Sequence, residues 1–186
     1  RFVEDDRHEI LRPVLRRFDP DGSTEEVCFP TRKVVIPAVK SHVSHVVLDG
    51  VRGNTWEEEV AGLLEDHPGV AAYVKNDHLG FEIPYVHEGR THRYVPDFLV
   101  RLMDEDDEPE RTLIVEVSGG RKDAALTKAK ADTARLQWCP AVSHHGGWGR
   151  WGYIEITDMT GAGDVLDAAI ESLRVDGPVT GLVDSI

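Results

Sequence analysis

Apolar positions in this chain follow two periods, and the switch between them predicts the order of its elements. From 31 to 48, "TRKVVIPAVKSHVSHVVL" is β-branched and partly alternating, which predicts two short strands, with Pro37 pushing the first towards an edge or bulge. Trp56, Val60, Leu63 and Leu64 then recur at helical spacing behind Asn54-Thr55. Together with Glu57, Glu58 and Glu59 at the positive end of the helix dipole, they predict a helix of about three turns stopped by Pro68-Gly69. Residues 70–75, 80–86 and 92–102 read as consecutive strands, the last two joined by the turn "HEGRT", and 111–118 reads as a fourth. These four strands are expected to form one antiparallel meander. After Gly119-Gly120 the period returns to helical over 122–137, with Leu126, Ala129, Thr133 and Leu136 on one stripe. Pro140 limits how far that helix can run, so 138–142 is read as a short strand, followed by a Gly-rich loop, a strand over 151–157 and an amphipathic helix over 163–174.

This order places the chain in the α/β class, with a central mixed sheet containing an antiparallel meander and flanked by helices. At 186 residues it accommodates one domain with a substantial core. Residues 1–30, charged and broken by proline, are expected to be a linker or partner-facing segment; 31–175 form the domain, and 176–186 a tail. The chain starts at Arg1, not at Met, and is expected to be a piece of a longer protein. No long apolar run and no leader pattern is visible, so no membrane partner is expected. Cys28 and Cys139 match no metal or redox spacing, which suits a reducing cytoplasm.

Charge changes the picture locally. The formal net charge of −13 argues against a protein that coats nucleic acid non-specifically. Yet residues 104–110, "DEDDEPE", hold six acids and no base, whereas 121–150 hold six bases against two acids.

Two acids interrupt apolar strands: Asp97 in "YVPDFLVRL" (94–102) and Glu116 in "LIVEVSGGRK" (113–122). A carboxylate there costs several kcal/mol unless it is paired or bound to a cation. Eighteen residues, 98–115, lie between them, enough for two neighbouring strands that set the acids side by side. Clustered acids repel unless a divalent ion neutralises them, and hard oxygen ligands favour Mg²⁺, which takes one or two protein carboxylates along with phosphate oxygens. Such a site suits phosphodiester hydrolysis, with a nearby lysine to orient or deprotonate the attacking water.

The pattern Pro96-Asp97 … Glu116-Val117-Ser118 resembles the PD-(D/E)xK nuclease signature. Over residues 23–158, the blocks "SHVSHVVLD", "WEEEVAGLLEDHPGVAAYVKNDHLGFEIPYVHEGRTHRYVPDFLVRL", "LIVEVSG" and "WCPAVSHHGGWGRWGYIEITD" together resemble the C-terminal endonuclease region of type III restriction enzyme Res subunits. The resemblance implies a restriction-endonuclease-like core and Mg²⁺-dependent cleavage of double-stranded DNA, with Mn²⁺ able to substitute. It further implies metal binding by Asp97, Glu116 and the Val117 carbonyl, with Glu57 similar to an additional acid near a second metal position and Glu58 its neighbour. A modification or specificity subunit is an implied partner, and an ATPase motor is expected in the parent chain. No G-x-x-x-x-G-K-[ST] occurs here, and "GAGDVLD" (161–167) lacks its lysine.

The sequence departs from the signature at Ser118, where lysine is expected. The lysine is displaced to the following helix, as Lys130 or Lys122 with Lys128 a further possibility, or the serine suffices, or the site is inactive and the fold serves DNA or subunit binding. "HHGGWGRWG" (144–152) has the composition to stack bases and grip phosphate, and equally to plug the end of a core.

Overall fold

The computed structural model describes residues 22–25, 27–50, 55–103, 110–119 and 124–174. Most of the expected 1–30 segment, the acidic stretch 104–109, Lys122 and the 176–186 tail lie outside the described residues. The architecture is α/β, with helices on both faces of a mixed sheet. No helix among the described residues is long and apolar enough to cross a membrane.

Strands β1 (Val35–Pro37) and β2 (His45–Val47) pair antiparallel as a small separate ladder. Helix α1 (Trp56–Asp66) starts where the Thr55 side chain accepts the Glu58 N–H, and ends at His67 ahead of Pro68. Its buried face, Val60, Ala61 and Leu64, packs on the sheet; Val60 and Leu64 each stabilise the fold by about 1.5–3 kcal/mol.

The central sheet has the order β3-β6-β7-β8. Strand β3 (Val70–Lys75) pairs antiparallel with β6 (Phe98–Leu102), β6 antiparallel with β7 (Arg111–Val117), and β7 parallel with β8 (Arg150–Ile156). Strands β4 (Ile83–His87) and β5 (Arg90–Tyr94) pair only with each other, as a hairpin inserted between β3 and β6. The expected single meander is therefore corrected: β3 neighbours β6, and the read-through strand 92–102 is two strands. Pro96 is the reason, since it has no N–H to give to a ladder. The Asn76 side-chain amide holds the break by donating to the carbonyls of Phe81 (2.9 Å) and Pro96 (3.0 Å).

The expected strand at 138–142 is also corrected. Helix α2 (Ala124–Asp132) continues through a π-helical turn, Thr133–Trp138, into helix α3 (Cys139–His145). In an α-helix Pro140 would crowd the Leu136 carbonyl and leave it without a donor. The wider turn, in which the Cys139 N–H reaches back to the Ala134 carbonyl, absorbs that mismatch. The helix then stops at Gly146, in the left-handed conformation with φ 79°. Helix α4 (Ala162–Arg174) completes the fold.

Alternation along the strands divides the core in two. Phe98, Val100, Leu113, Val115 and Ile156 face α1, α4 and β2. Ile114 and Tyr153 face the other way, towards Ile83, Tyr85 and Tyr94 of the hairpin and Ala134 and Cys139 of the helical layer.

Candidate active site

The β6–β7 register pairs Phe98 with Val115 and Leu99 with Ile114. One further step in that register sets Asp97 opposite Glu116. Phe98 and Val115 project into the first core, so Asp97 and Glu116 project from the second face, beside Ile114 and Leu99. Glu116 is buried, and its partner in the parallel β7–β8 register is Glu155. Three acids thus stand in a row across three strands.

Each member of the central pair is held by a donor. The Val117 N–H donates to Asp97 Oδ2 at 2.7 Å. The Tyr94 hydroxyl donates to Glu116 Oε2 at 2.8 Å, and it also shares a hydrogen bond with Tyr153. Burial first, then the neighbouring Tyr153 and Glu116, push the Tyr94 hydroxyl far above the usual tyrosine value. Tyr153 is pushed up chiefly by burial, and the charges of Glu116, Glu155 and Asp97 add to it. Both hydroxyls therefore remain protonated, Tyr94 donating to Glu116 and Tyr153 hydrogen-bonded to Tyr94.

Lys130 belongs to the same face. Leu126 and Ala129 seat α2 against the second core, and this brings Lys130 Nζ to 5.5 Å from the centre of the Tyr94 ring. Lys128 points outward instead, paired with Asp132 Oδ2 at 2.9 Å. The backbone N–H of Ser118 continues the β7–β8 ladder by donating to the Ile156 carbonyl at 2.9 Å.

Glu57 lies elsewhere. Its Oε2 accepts from Lys75 Nζ at 2.8 Å, and Lys75 is the cross-strand partner of Phe98, which faces the first core. Glu57 is therefore tied on the face opposite Asp97 and Glu116. Lys75 also donates to the Val47 carbonyl and to Asp49 Oδ2, both at 2.9 Å. The two clusters nevertheless meet in the backbone: the N–H of Asn76, next to Lys75, donates to the Asp97 carbonyl at 2.8 Å.

The two tryptophans of the "HHGGWGRWG" segment take different surroundings. Trp151 stacks on Phe81, with ring centres 5.8 Å apart and planes 4° from parallel, and Trp138 meets both edge-on, so Trp151 plugs the second core. Trp148 instead stacks on the exposed His145, 4.4 Å away.

Sequence reasoning passed over Lys75, Tyr94, Tyr153 and Glu155. The signal for two of them was present: "VAAYVK" and "YIEI" are apolar strands with one charged residue, the same anomaly that singled out Asp97 and Glu116. The tyrosines carried no such mark, because an aromatic in a strand reads as core.

The donor set suits a hard divalent ion in kind: two carboxylates and the main-chain carbonyl of Val117 are all oxygen. Among the described residues no three His, Cys, Asp or Glu side chains gather as a group able to hold a metal ion. Comparison of the chain with protein-family models, curated proteins and solved structures gives no match.

Proposed function

We propose that this chain is the cutting module of a restriction-type enzyme, a divalent-metal-dependent endonuclease acting on double-stranded DNA, with its ATP-driven motor elsewhere in the parent protein. The observation that carries the reading is the register placing Asp97 opposite Glu116 on one face of adjacent antiparallel strands. The element order α1-β3-β6-β7-α2-β8, once the β4–β5 insertion is set aside, supports a restriction-endonuclease-like core.

Asp97, Glu116 and the Val117 carbonyl would hold Mg²⁺, or Mn²⁺ in its place. When bound, the ion supplies Lewis acidity towards the phosphodiester. The chain's own residues do the rest. The Val117 N–H and the Tyr94 hydroxyl fix the two carboxylates, so little reorientation is needed on binding. Lys130, beside Tyr94, is the lysine that Ser118 does not provide; its ammonium orients the attacking water and offsets the charge developing on phosphorus. Glu57, held by Lys75, has a supporting role on the opposite face.

Isosteric Asp97→Asn and Glu116→Gln variants test this. Each is expected to lose Mg²⁺-dependent cleavage of duplex DNA by at least about 100-fold while keeping its circular dichroism spectrum. Full activity in either would overturn the assignment. One observation favours a second reading, an inactive nuclease-fold module for DNA or subunit binding: protein donors already engage both carboxylates, and position 118 is serine. Calorimetry with Mn²⁺ separates the two, because only the enzyme reading requires metal binding that depends on Asp97.

A further inference from the structure

Asn76 follows β3 directly, and one step beyond the β3–β6 register, which pairs Lys75 with Phe98, sets it opposite Asp97. Phe98 faces the first core, so the Asn76 side chain leaves on the second face, that of Asp97. The chain turns away at once. The Asp77 N–H donates to the Lys75 carbonyl at 2.8 Å, and His78 takes a left-handed φ of 58°. Asn76 thus stands, half-buried, at the corner where the chain leaves the sheet for the β4–β5 hairpin.

Three carbonyls take hydrogen bonds from this one residue. Its backbone N–H donates to the Asp97 carbonyl at 2.8 Å, and its side-chain amide donates to the carbonyls of Pro96 at 3.0 Å and Phe81 at 2.9 Å. The Pro96 and Asp97 carbonyls belong to the two peptide planes that flank the Asp97 Cα. Holding both planes fixes φ and ψ at Asp97, and with them the direction in which its carboxylate leaves the backbone. Pro96 makes such a clamp necessary, because without an N–H it cannot carry the ladder past Asp97. Asparagine meets the need with two N–H on one short side chain, whereas an ionised aspartate offers only acceptors. Asn76 Oδ1 is buried and accepts no hydrogen bond among the described residues, so the side chain serves by its N–H pair alone.

We propose that Asn76 is the positioning residue of the candidate metal site, clamping the peptide planes around Asp97 so that its carboxylate meets a divalent ion without rearrangement. The inference rests on the reading of Asp97 and Glu116 as the cutting site. The carboxylate itself is held separately, by the Val117 N–H. Groups that orient a metal ligand are worth about 10–100-fold in metal affinity. A simple staple for the base of the hairpin uses the same two side-chain bonds, and the ring of Phe81, packed against Trp138 and Trp151, distinguishes that role.

The test is calorimetric titration of the intact chain with Mn²⁺, with a near-ultraviolet circular dichroism spectrum and a urea midpoint for each variant. Asn76→Ala is expected to weaken Mn²⁺ binding about tenfold, and Asn76→Ser, with one donor in place of two, about threefold. Phe81→Leu loosens the packing of the hairpin base but keeps the Phe81 carbonyl, and Gly149→Ala destabilises the far end of β8; both are expected to stay within about twofold of wild type. Losses of Mn²⁺ affinity in these two controls that match the Asn76→Ala loss would mean general loosening and overturn the clamp. An altered near-ultraviolet spectrum in Asn76→Ala with wild-type Mn²⁺ affinity would make it a staple only. Wild-type affinity in folded Asn76→Ala, or in Asn76→Ser should the alanine variant not fold, overturns this inference alone, provided that Asp97→Asn abolishes binding. Absence of Asp97-dependent Mn²⁺ binding in the wild-type chain overturns the endonuclease reading and the clamp with it.

Discussion

Lys75 has an acceptor for each of its three ammonium protons, the Val47 carbonyl, Asp49 and Glu57, and is 7% exposed. Removing it strands the Val47 carbonyl and the Glu57 carboxylate and leaves Asp49 to Lys33 alone, although Asp49 and Glu57 keep part of their hydration. Lys75→Met is therefore expected to cost about 1–3 kcal/mol in urea unfolding. The pH dependence should change as well. Hydrogen bonds from Lys33, then Lys75, hold the Asp49 carboxyl below its ordinary value of 3.8. A carboxyl depressed by folding stabilises fully above its unfolded value, and that stability is lost as pH falls through the folded one. Lys75→Met should therefore show a smaller loss of stability between pH 5 and pH 2 than the wild type, measured by the unfolding midpoint. At this scale the sequence disclosed Asp97 and Glu116 because a charge inside an apolar strand demands a partner. It could not disclose that the partners are Val117 N–H and Tyr94, since one is main chain and the other looks like core.

Among elements, those with strong periodicity needed little help from tertiary contacts: α1, β3, β7, β8 and α4 lie where the spacing of apolar residues places them. The failures share one cause. Proline reports a missing N–H but not how the chain will accommodate it. At Pro96 the strand breaks and the hairpin leaves the sheet; at Pro140 the helix widens and continues. Gly149 belongs at this scale too. With φ 68° it allows β8 to start beside β7, where the Arg150 N–H donates to the Glu110 carbonyl at 2.7 Å. A Cβ at Gly149 would collide with that same carbonyl, whereas one at Gly146 meets open space. Gly149→Ala should accordingly cost about 2–3 kcal/mol and Gly146→Ala about 1 kcal/mol, read as a clearly larger drop in thermal midpoint for Gly149→Ala.

At the scale of the whole molecule, one four-stranded sheet separates two apolar layers, and its strands contribute alternately to both. Neither layer can lose its packing without exposing the sheet that the other covers. Unfolding in urea should therefore be a single transition, with tryptophan fluorescence coincident with far-ultraviolet circular dichroism. Trp56 reports on the α1 side and Trp138 and Trp151 on the other, so a Trp56→Phe variant should leave that coincidence intact; separated midpoints would refute the shared-sheet account. By itself the sequence determined what local periodicity and the cost of a buried charge can encode: the α/β class, most element positions, and two acids needing compensation. Only the tertiary structure decided which strands are neighbours, that Asp97 and Glu116 share a face with Lys130, and that Glu57 does not. Those outcomes depend on pairing across long loops and on strand parity, where a shift of one residue exchanges the faces and local pattern carries no record of the partner.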